Sequence, residues 1–231
     1  MSWRLVGLLA SIVLGLAFPR SAASSQESSP TVVSENGNII VTRASGGRVQ
    51  LTALGLDADP AVSPDGRWIV FVRRTPGYLI DTGNPSYPDS NEIWLVRADD
   101  RSRPRRLLRG RPGSFDARQP DTLVQGNFFE PQFSPDGKRV YVAASTWATS
   151  NAFWVVDIKT GSPRFLLSAV TFEVVRRGPL AGNLIVRKRL LDRDSPRYPY
   201  YLLNPDGKDL RQIGESEADL RAFKANNGIR P

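Results

Sequence analysis

The sequence predicts an all-β chain: a tandem, β-propeller-like array of about four four-stranded antiparallel sheets, closed into a small ring or left open, with a short C-terminal helix. Three observations predict it. The tetrapeptide Ser63-Pro64-Asp65-Gly66 returns as Ser134-Pro135-Asp136-Gly137, with Pro60 and Pro131 upstream and Arg67 and Lys138 behind. Runs of β-branched and aromatic residues follow each copy, Trp68-Ile69-Val70-Phe71-Val72 and Val140-Tyr141-Val142. A strand–turn–strand outline recurs four times at spacings of roughly 50 to 60 residues, the mark of a repeat array.

The elements follow in order. Each Ser-Pro-Asp-Gly box fits a type I turn, with proline setting φ at the second position and glycine at the fourth. It joins a short apolar segment (61–62, or 128–133) to the buried run behind it. A second hairpin recurs as 91–96 with 104–108, and as 151–156 with 163–167. The same outline reads at 38–41 with 49–52 and at 200–203 with 210–213. Joined, the two elements make a four-stranded unit, strands a to d, with the box between a and b. The second unit spans 60–108 and the third 129–167. The fourth is degenerate, 170–175, a turn ending in Arg-Gly-Pro-Leu-Ala-Gly-Asn, then 184–189 and the last hairpin. The first shows its c–d hairpin, with Thr31-Val32-Val33 as a b strand. A helix over 216–225, N-capped by Ser216, would dock Leu220 and Phe223 on the last unit. Such units bury their faces only by stacking on neighbours, which is the logic of a β-propeller.

The pattern P-x-[VF]-S-P-D-G-[RK], a hydrophobic strand, then x-I-W-x-V resembles the repeat of the TolB-like, WD-repeat-like propeller family. It is also similar to the propeller part of prolyl-oligopeptidase-type peptidases. The resemblance covers roughly residues 38–213 and implies a propeller fold. It departs from both groups in having at most four units. It also leaves no room for the α/β domain of TolB-like proteins, and lacks the histidine that the peptidases' hydrolase domain uses.

Residues 1–23 read as a signal peptide: Arg4, an apolar run to Phe18, then small residues at Ser21-Ala22-Ala23. The run is short for a bilayer span of ~20 residues, so no stable membrane span is expected after processing. Residues 24–37 read as a linker and first strand, 38–213 as the repeat domain and 214–231 as the C-terminal helix and tail. The expected location is periplasmic or secreted. The net charge of +8 suits an acidic protein or an anionic envelope polymer, and export argues against nucleic acid. With no cysteine, packing alone holds the fold. With no histidine, Ser-His-Asp and Cys-His catalysis are excluded.

In this arrangement the b–c and d–a loops share one face and the a–b turns lie on the other. Two enlarged loops fall on the first face. The b–c loop over 75–90 carries Tyr78, Asp81, Tyr87 and Asp89, and the d–a loop over 110–127 carries Phe115, Asp116, Arg118 and Asp121. Trp147 and Tyr198 sit in the b–c loops of the third and fourth units. Tyr78, Asp81, Tyr87, Asp89, Phe115, Arg118, Trp147 and Tyr198 are the expected partner-contacting residues, against the plainer reading of unconstrained loop surface. Arg101, Arg103, Arg105, Arg106, Arg109 and Arg111 form the most basic stretch. They are either a solvated edge that resists aggregation or a patch for phosphate or acidic protein. The box residues and the matching Trp94 and Trp154 read as structural. Asp192, Asp194 and Asp206 lack the rest of a calcium loop, so no metal and no cofactor are expected.

These features predict an exported, non-enzymatic binding module whose loop face holds an envelope protein or anionic envelope polymer. An open blade edge also allows a homodimer. The alternative is a carboxylate-dependent hydrolase or lyase on envelope polysaccharide or peptide, drawing on Asp81, Asp89, Asp116 or Asp121.

Overall fold

The computed structural model describes residues 30–43, 45–77, 90–99, 102–111, 126–145, 150–191 and 195–229. Four separate antiparallel sheets follow one another along the chain. The first has three strands, β1 (Thr31–Glu35), β2 (Asn38–Thr42) and β3 (Arg48–Gln50). The second holds β4 (Asp57–Val62), β5 (Trp68–Arg74), β6 (Asn91–Arg97) and β7 (Arg105–Arg109) in sequence order. The third repeats it with β8 (Phe128–Phe133), β9 (Arg139–Ser145), β10 (Asn151–Asp157) and β11 (Pro163–Ala169). In the fourth, β12 (Thr171–Val174) and β13 (Leu184–Arg187) precede a two-stranded ribbon, β14 (Leu190–Leu191) and β15 (Pro196–Arg197). That blade is completed by β16 (Tyr200–Leu203) and β17 (Asp209–Gly214), and the helix α1 (Glu217–Asn226) follows. The expected units are therefore present, and β1 occupies the b position of an incomplete first blade.

Alternation along each strand sends side chains to two different neighbours, and the core is accordingly a set of layers between blades. Ile39 and Val41 of the first blade meet Ile69, Phe71 and Val96 of the second. Ile93 and Leu95 face Val142, Trp154 and Val156 of the third. Phe153 and Val155 face Phe172, Val186 and Leu203 of the fourth. Trp94 and Trp154 fall in these layers as expected, Trp154 fully buried and edge-on to Phe165 at 5.5 Å. The far face of the fourth blade, Val175, Ile185, Tyr200 and Leu202, is covered by Leu220 and Phe223 of α1 and by Ile229. A capping box starts that helix, with Ser216 and Asp219 each closing on the other's backbone N–H. The helix thus docks Leu220 and Phe223 on the last unit as expected, and seals a blade face. Among the described strands no hydrogen-bonded pairing joins the fourth sheet to the first, so the array is an open propeller.

The repeated box has one hydrogen-bond pattern in both copies. Ser63 Oγ donates to Asp65 Oδ1 at 2.6 Å and accepts the Trp68 N–H at 2.9 Å, while Asp65 Oδ1 accepts the Arg67 N–H at 3.1 Å. In the other copy Ser134, Asp136, Arg139 and Lys138 repeat it at 2.6, 3.0 and 3.1 Å. Gly66 and Gly137 close the turns at φ +70° and +67°, where a side chain would be strained. A Cβ on Gly66 would come within 3.2 Å of Pro30 Cδ, and one on Gly137 within 3.8 Å of Pro64 Cδ. Each turn is therefore seated on the one before it. The upstream prolines mark bulges: Asp59 and Glu130, just before Pro60 and Pro131, sit at φ +48° and +51° where the β4–β5 and β8–β9 registers shift.

On the opposite face each interior blade clasps its successor. Asn91 Nδ2 donates to Phe128 O at 2.8 Å, and Asn91 Oδ1 accepts the Phe128 N–H at 2.5 Å. Asn151 Nδ2 donates to Val170 O at 3.2 Å in the same way. Charge is buried on this side of the second blade. Arg73 Nε and Nη2 reach Asp57 Oδ1 and Oδ2 at 2.6 and 2.8 Å, and the guanidinium lies 4.4 Å from the centre of the Trp94 ring.

Candidate functional site

Strand direction assigns the two faces. The a–b and c–d turns share one, and the longer connections share the other. Of the expected loop-face residues, Tyr78, Asp81, Tyr87, Asp89, Phe115, Arg118 and Trp147 lie outside the described residues, as do Asp116, Asp121, Asp192, Asp194 and Arg101. Tyr198 is half-buried and belongs to its own blade: Arg187 lies 5.6 Å from its ring centre and donates Nε–H to its carbonyl at 3.3 Å.

The basic stretch is divided between surface and scaffold. Arg103, Arg105, Arg106, Arg109 and Arg111 are exposed on and around β7, the outer strand of its blade. Buried Glu92 holds two of them, Arg106 Nη1 at 3.2 Å and Arg109 Nε at 3.5 Å, and accepts the Trp94 indole N–H at 3.0 Å. Arg105 donates Nη2–H to Ile158 O of the next blade at 2.6 Å. Asp206 is held by Arg139 at 3.3 Å and Arg164 at 3.1 Å, a cross-blade bridge rather than a calcium ligand set.

Three clefts among the described residues lie on the turn face. A cleft of about 440 Å³ is walled by Pro30, Thr31 and Val32 on one side and by 60–64 on the other, with Arg176 and Arg177 at its rim. A neighbouring cleft of about 410 Å³ shares both arginines and adds Glu173, Val174, Gly228 and Ile229. A smaller one of about 260 Å³ lies between the third blade's box and the fourth blade, floored by Tyr141, whose hydroxyl donates to Pro205 O at 3.0 Å. Burial pushes the Tyr141 phenol above its ordinary value, so it stays a neutral donor.

Register explains how the two arginines arrive there. Val174 opposite Leu184 matches Phe133 opposite Val140 and Val62 opposite Ile69. The Val175 N–H to Asn183 O bond, 2.9 Å, likewise matches Ser63 to Trp68 and Ser134 to Arg139. Val-Arg-Arg-Gly in the fourth blade therefore stands where the other two have Ser-Pro-Asp-Gly. Arg177 takes the aspartate's place, Arg176 the proline's. Sequence reasoning passed over this pair because it looked for intact boxes; aligning Gly178 with Gly66 and Gly137 would have found it. Both arginines are exposed and make no ion pair among the described residues, whereas Glu173 beside them is held by Lys224 Nζ at 2.5 Å. The buried carboxylates Asp57 and Glu92 are likewise committed to arginines. The arrangement suits an oxyanion, held by guanidinium forks that no described carboxylate occupies.

No protein-family model matches the chain, and no curated protein matches it in sequence. Solved structures do resemble it. Porphyromonas gingivalis dipeptidyl peptidase 4 shares 13% identity over 81% of this chain and 31% of its own, at a TM-score of 0.54. The acylaminoacyl peptidase of Pyrococcus horikoshii shares 14% over 80% and 30%, at 0.50. TolB of Acinetobacter baumannii shares 16% over 79% and 39%, at 0.48. At these identities the likeness to the two peptidases is one of fold, the propeller that the repeats predict. The chain spans between 30% and 39% of the length of these three proteins.

Proposed function

We propose that this chain is an exported, non-enzymatic propeller module that binds an anionic partner in the cell envelope. The observation that carries the reading is the pair Arg176–Arg177, exposed and without ion pairs among the described residues, at the shared rim of two clefts. Buried carboxylates that could serve acid–base chemistry are instead neutralised by Arg73, Arg106 and Arg109. The long loops of the opposite face, with Tyr78, Asp81, Tyr87, Asp89, Phe115, Arg118 and Trp147, supply a second contact area in this reading.

The test is binding of purified chain to envelope extract and to immobilised polyphosphate across a salt series. Binding should weaken with salt. It should fall about tenfold in Arg176→Ala/Arg177→Ala, while Tyr78→Ala and Trp147→Ala report on the loop face. Salt-independent binding, or none, contradicts the proposal. Turnover of an envelope polysaccharide or peptide that Asp81→Asn or Asp116→Asn abolishes would replace it with the enzymatic alternative.

A further inference from the structure

Among the described residues the first blade has three strands where the other blades have four. β5, β9 and β13 each run from the turn face to the loop face, paired on their inner side with β4, β8 and β12. β1 takes the same course, starting beside Gly66 at Pro30, yet among the described strands it pairs with β2 alone. Four of its five residues are exposed. An unpaired inner strand presents a row of N–H and C=O groups without ladder partners, the template that strand addition uses.

The strand position beside β1, which no described strand fills, has walls and a charge. The 440 Å³ cleft runs from Pro30, Thr31 and Val32 of β1 to residues 60–64 at the end of β4, and Arg176 and Arg177 stand at its rim. In the complete blades the inner strand runs antiparallel to its b strand and ends at the turn face. A strand added to β1 in that sense would therefore deliver its C-terminal end to the arginines. Two guanidinium groups at that end, without carboxylate partners among the described residues, suit a terminal carboxylate and acidic side chains beside it.

We propose that β1 receives the extended, acidic C-terminal segment of a partner protein as the missing inner strand, with its carboxylates on Arg176 and Arg177. This names the partner of the binding module described above and rests on that reading. β1 sets the length of the paired segment at about five residues. A polyanionic polymer would use the arginines without using the edge of β1, and hydrogen exchange separates the two.

The probe is a fluorescent heptapeptide, Ser-Thr-Val-Thr-Val-Glu-Glu with a free carboxylate, titrated into the purified chain. Its control carries glutamine for glutamate and a C-terminal amide, and polyphosphate is the polymer arm. The acidic peptide should bind about tenfold more tightly than the control, and about tenfold more tightly to the parent chain than to Arg176→Ala/Arg177→Ala. On binding, alternate amides within 31–35 should exchange about tenfold more slowly, with those of β3 unchanged. Polyphosphate binding without peptide binding would overturn strand addition and leave the anion-binding reading standing. Failure of both probes would remove both. Peptide binding with no change at 31–35, or with no loss in the arginine variant, overturns the proposal. So does protection of 31–35 in the free chain that disappears when residues 24–29 are deleted, because the slot would then already be filled.

Discussion

Ser134 and Asp136 show what the repeated box asks of single residues. The Ser134 hydroxyl, donating to the carboxylate, is the main reason Asp136 titrates below the usual range; partial burial opposes it, and the Lys138 N–H and nearby cations assist. In Asp65 burial is the largest influence and acts upward, but Ser63 and the Arg67 N–H and guanidinium together outweigh it. A carboxyl with a lowered folded value stabilises the fold above its unfolded value of about 4, and that contribution is lost as pH falls through the folded value. Urea melts should therefore weaken below about pH 4, and Ser134→Ala should weaken less steeply; parallel pH curves would refute the coupling. The Asp57–Arg73 pair makes a larger claim. Removing one partner of a buried pair leaves an uncompensated charge and costs about 3–5 kcal/mol. Asp57→Ala should show that loss by denaturant midpoint, and a cost under about 1 kcal/mol, the worth of a surface pair, would mean Arg73 finds water or Trp94 sufficient.

Strands become blades through pairings that hold one element to the next, and Asn91 is the test case. It bonds both the N–H and the C=O of Phe128, so it fixes where β8 begins relative to β6. Losing a side chain that satisfies buried backbone groups costs about 1–3 kcal/mol. Asn91→Ala should lie in that range and speed exchange at the Phe128 amide, while Asn151→Ala, with one longer bond, should cost less. Equal effects, or no change at Phe128, would show that packing alone sets the register. At the same register the last blade carries Tyr198, and among the described residues no further blade follows for it to clasp. Its neighbour Tyr200 instead donates its hydroxyl to Glu217 at the start of α1.

For the whole molecule, the question is how an array ends. The fourth blade turns Val175, Ile185, Tyr200 and Leu202 away from the third, and α1 with Ile229 covers them. Each large apolar side chain buried contributes roughly 1.5–3 kcal/mol. Exposing four together approaches the ~5–15 kcal/mol that holds a domain folded. Truncation after Gly214 should therefore yield oligomers or insoluble protein, read by size exclusion with light scattering. A stable truncated monomer would show that α1 is not the cap. The first blade ends differently. Its outer face carries Thr31, Glu35, Arg48 and Gln50 with an Arg48–Glu35 ion pair at 2.5 Å, and the cross-strand pair Val33, 45% exposed, and Ile40 breaks its polarity.

How far the sequence reached follows from the range of the forces involved. Turn chemistry and strand alternation are local, so the two boxes, the four c–d hairpins, the inter-blade tryptophans and the Ser216 cap were all legible from neighbouring residues. The clasp of Asn91 on Phe128, the pairing of Arg73 with Asp57 and the gap beside β1 join residues far apart in the chain. Their geometry exists only once blades stack. The arginine cleft lies between these cases. Val-Arg-Arg-Gly is visible in the sequence as a failed box, but only the folded array sets its two charges beside a strand edge that no described strand pairs.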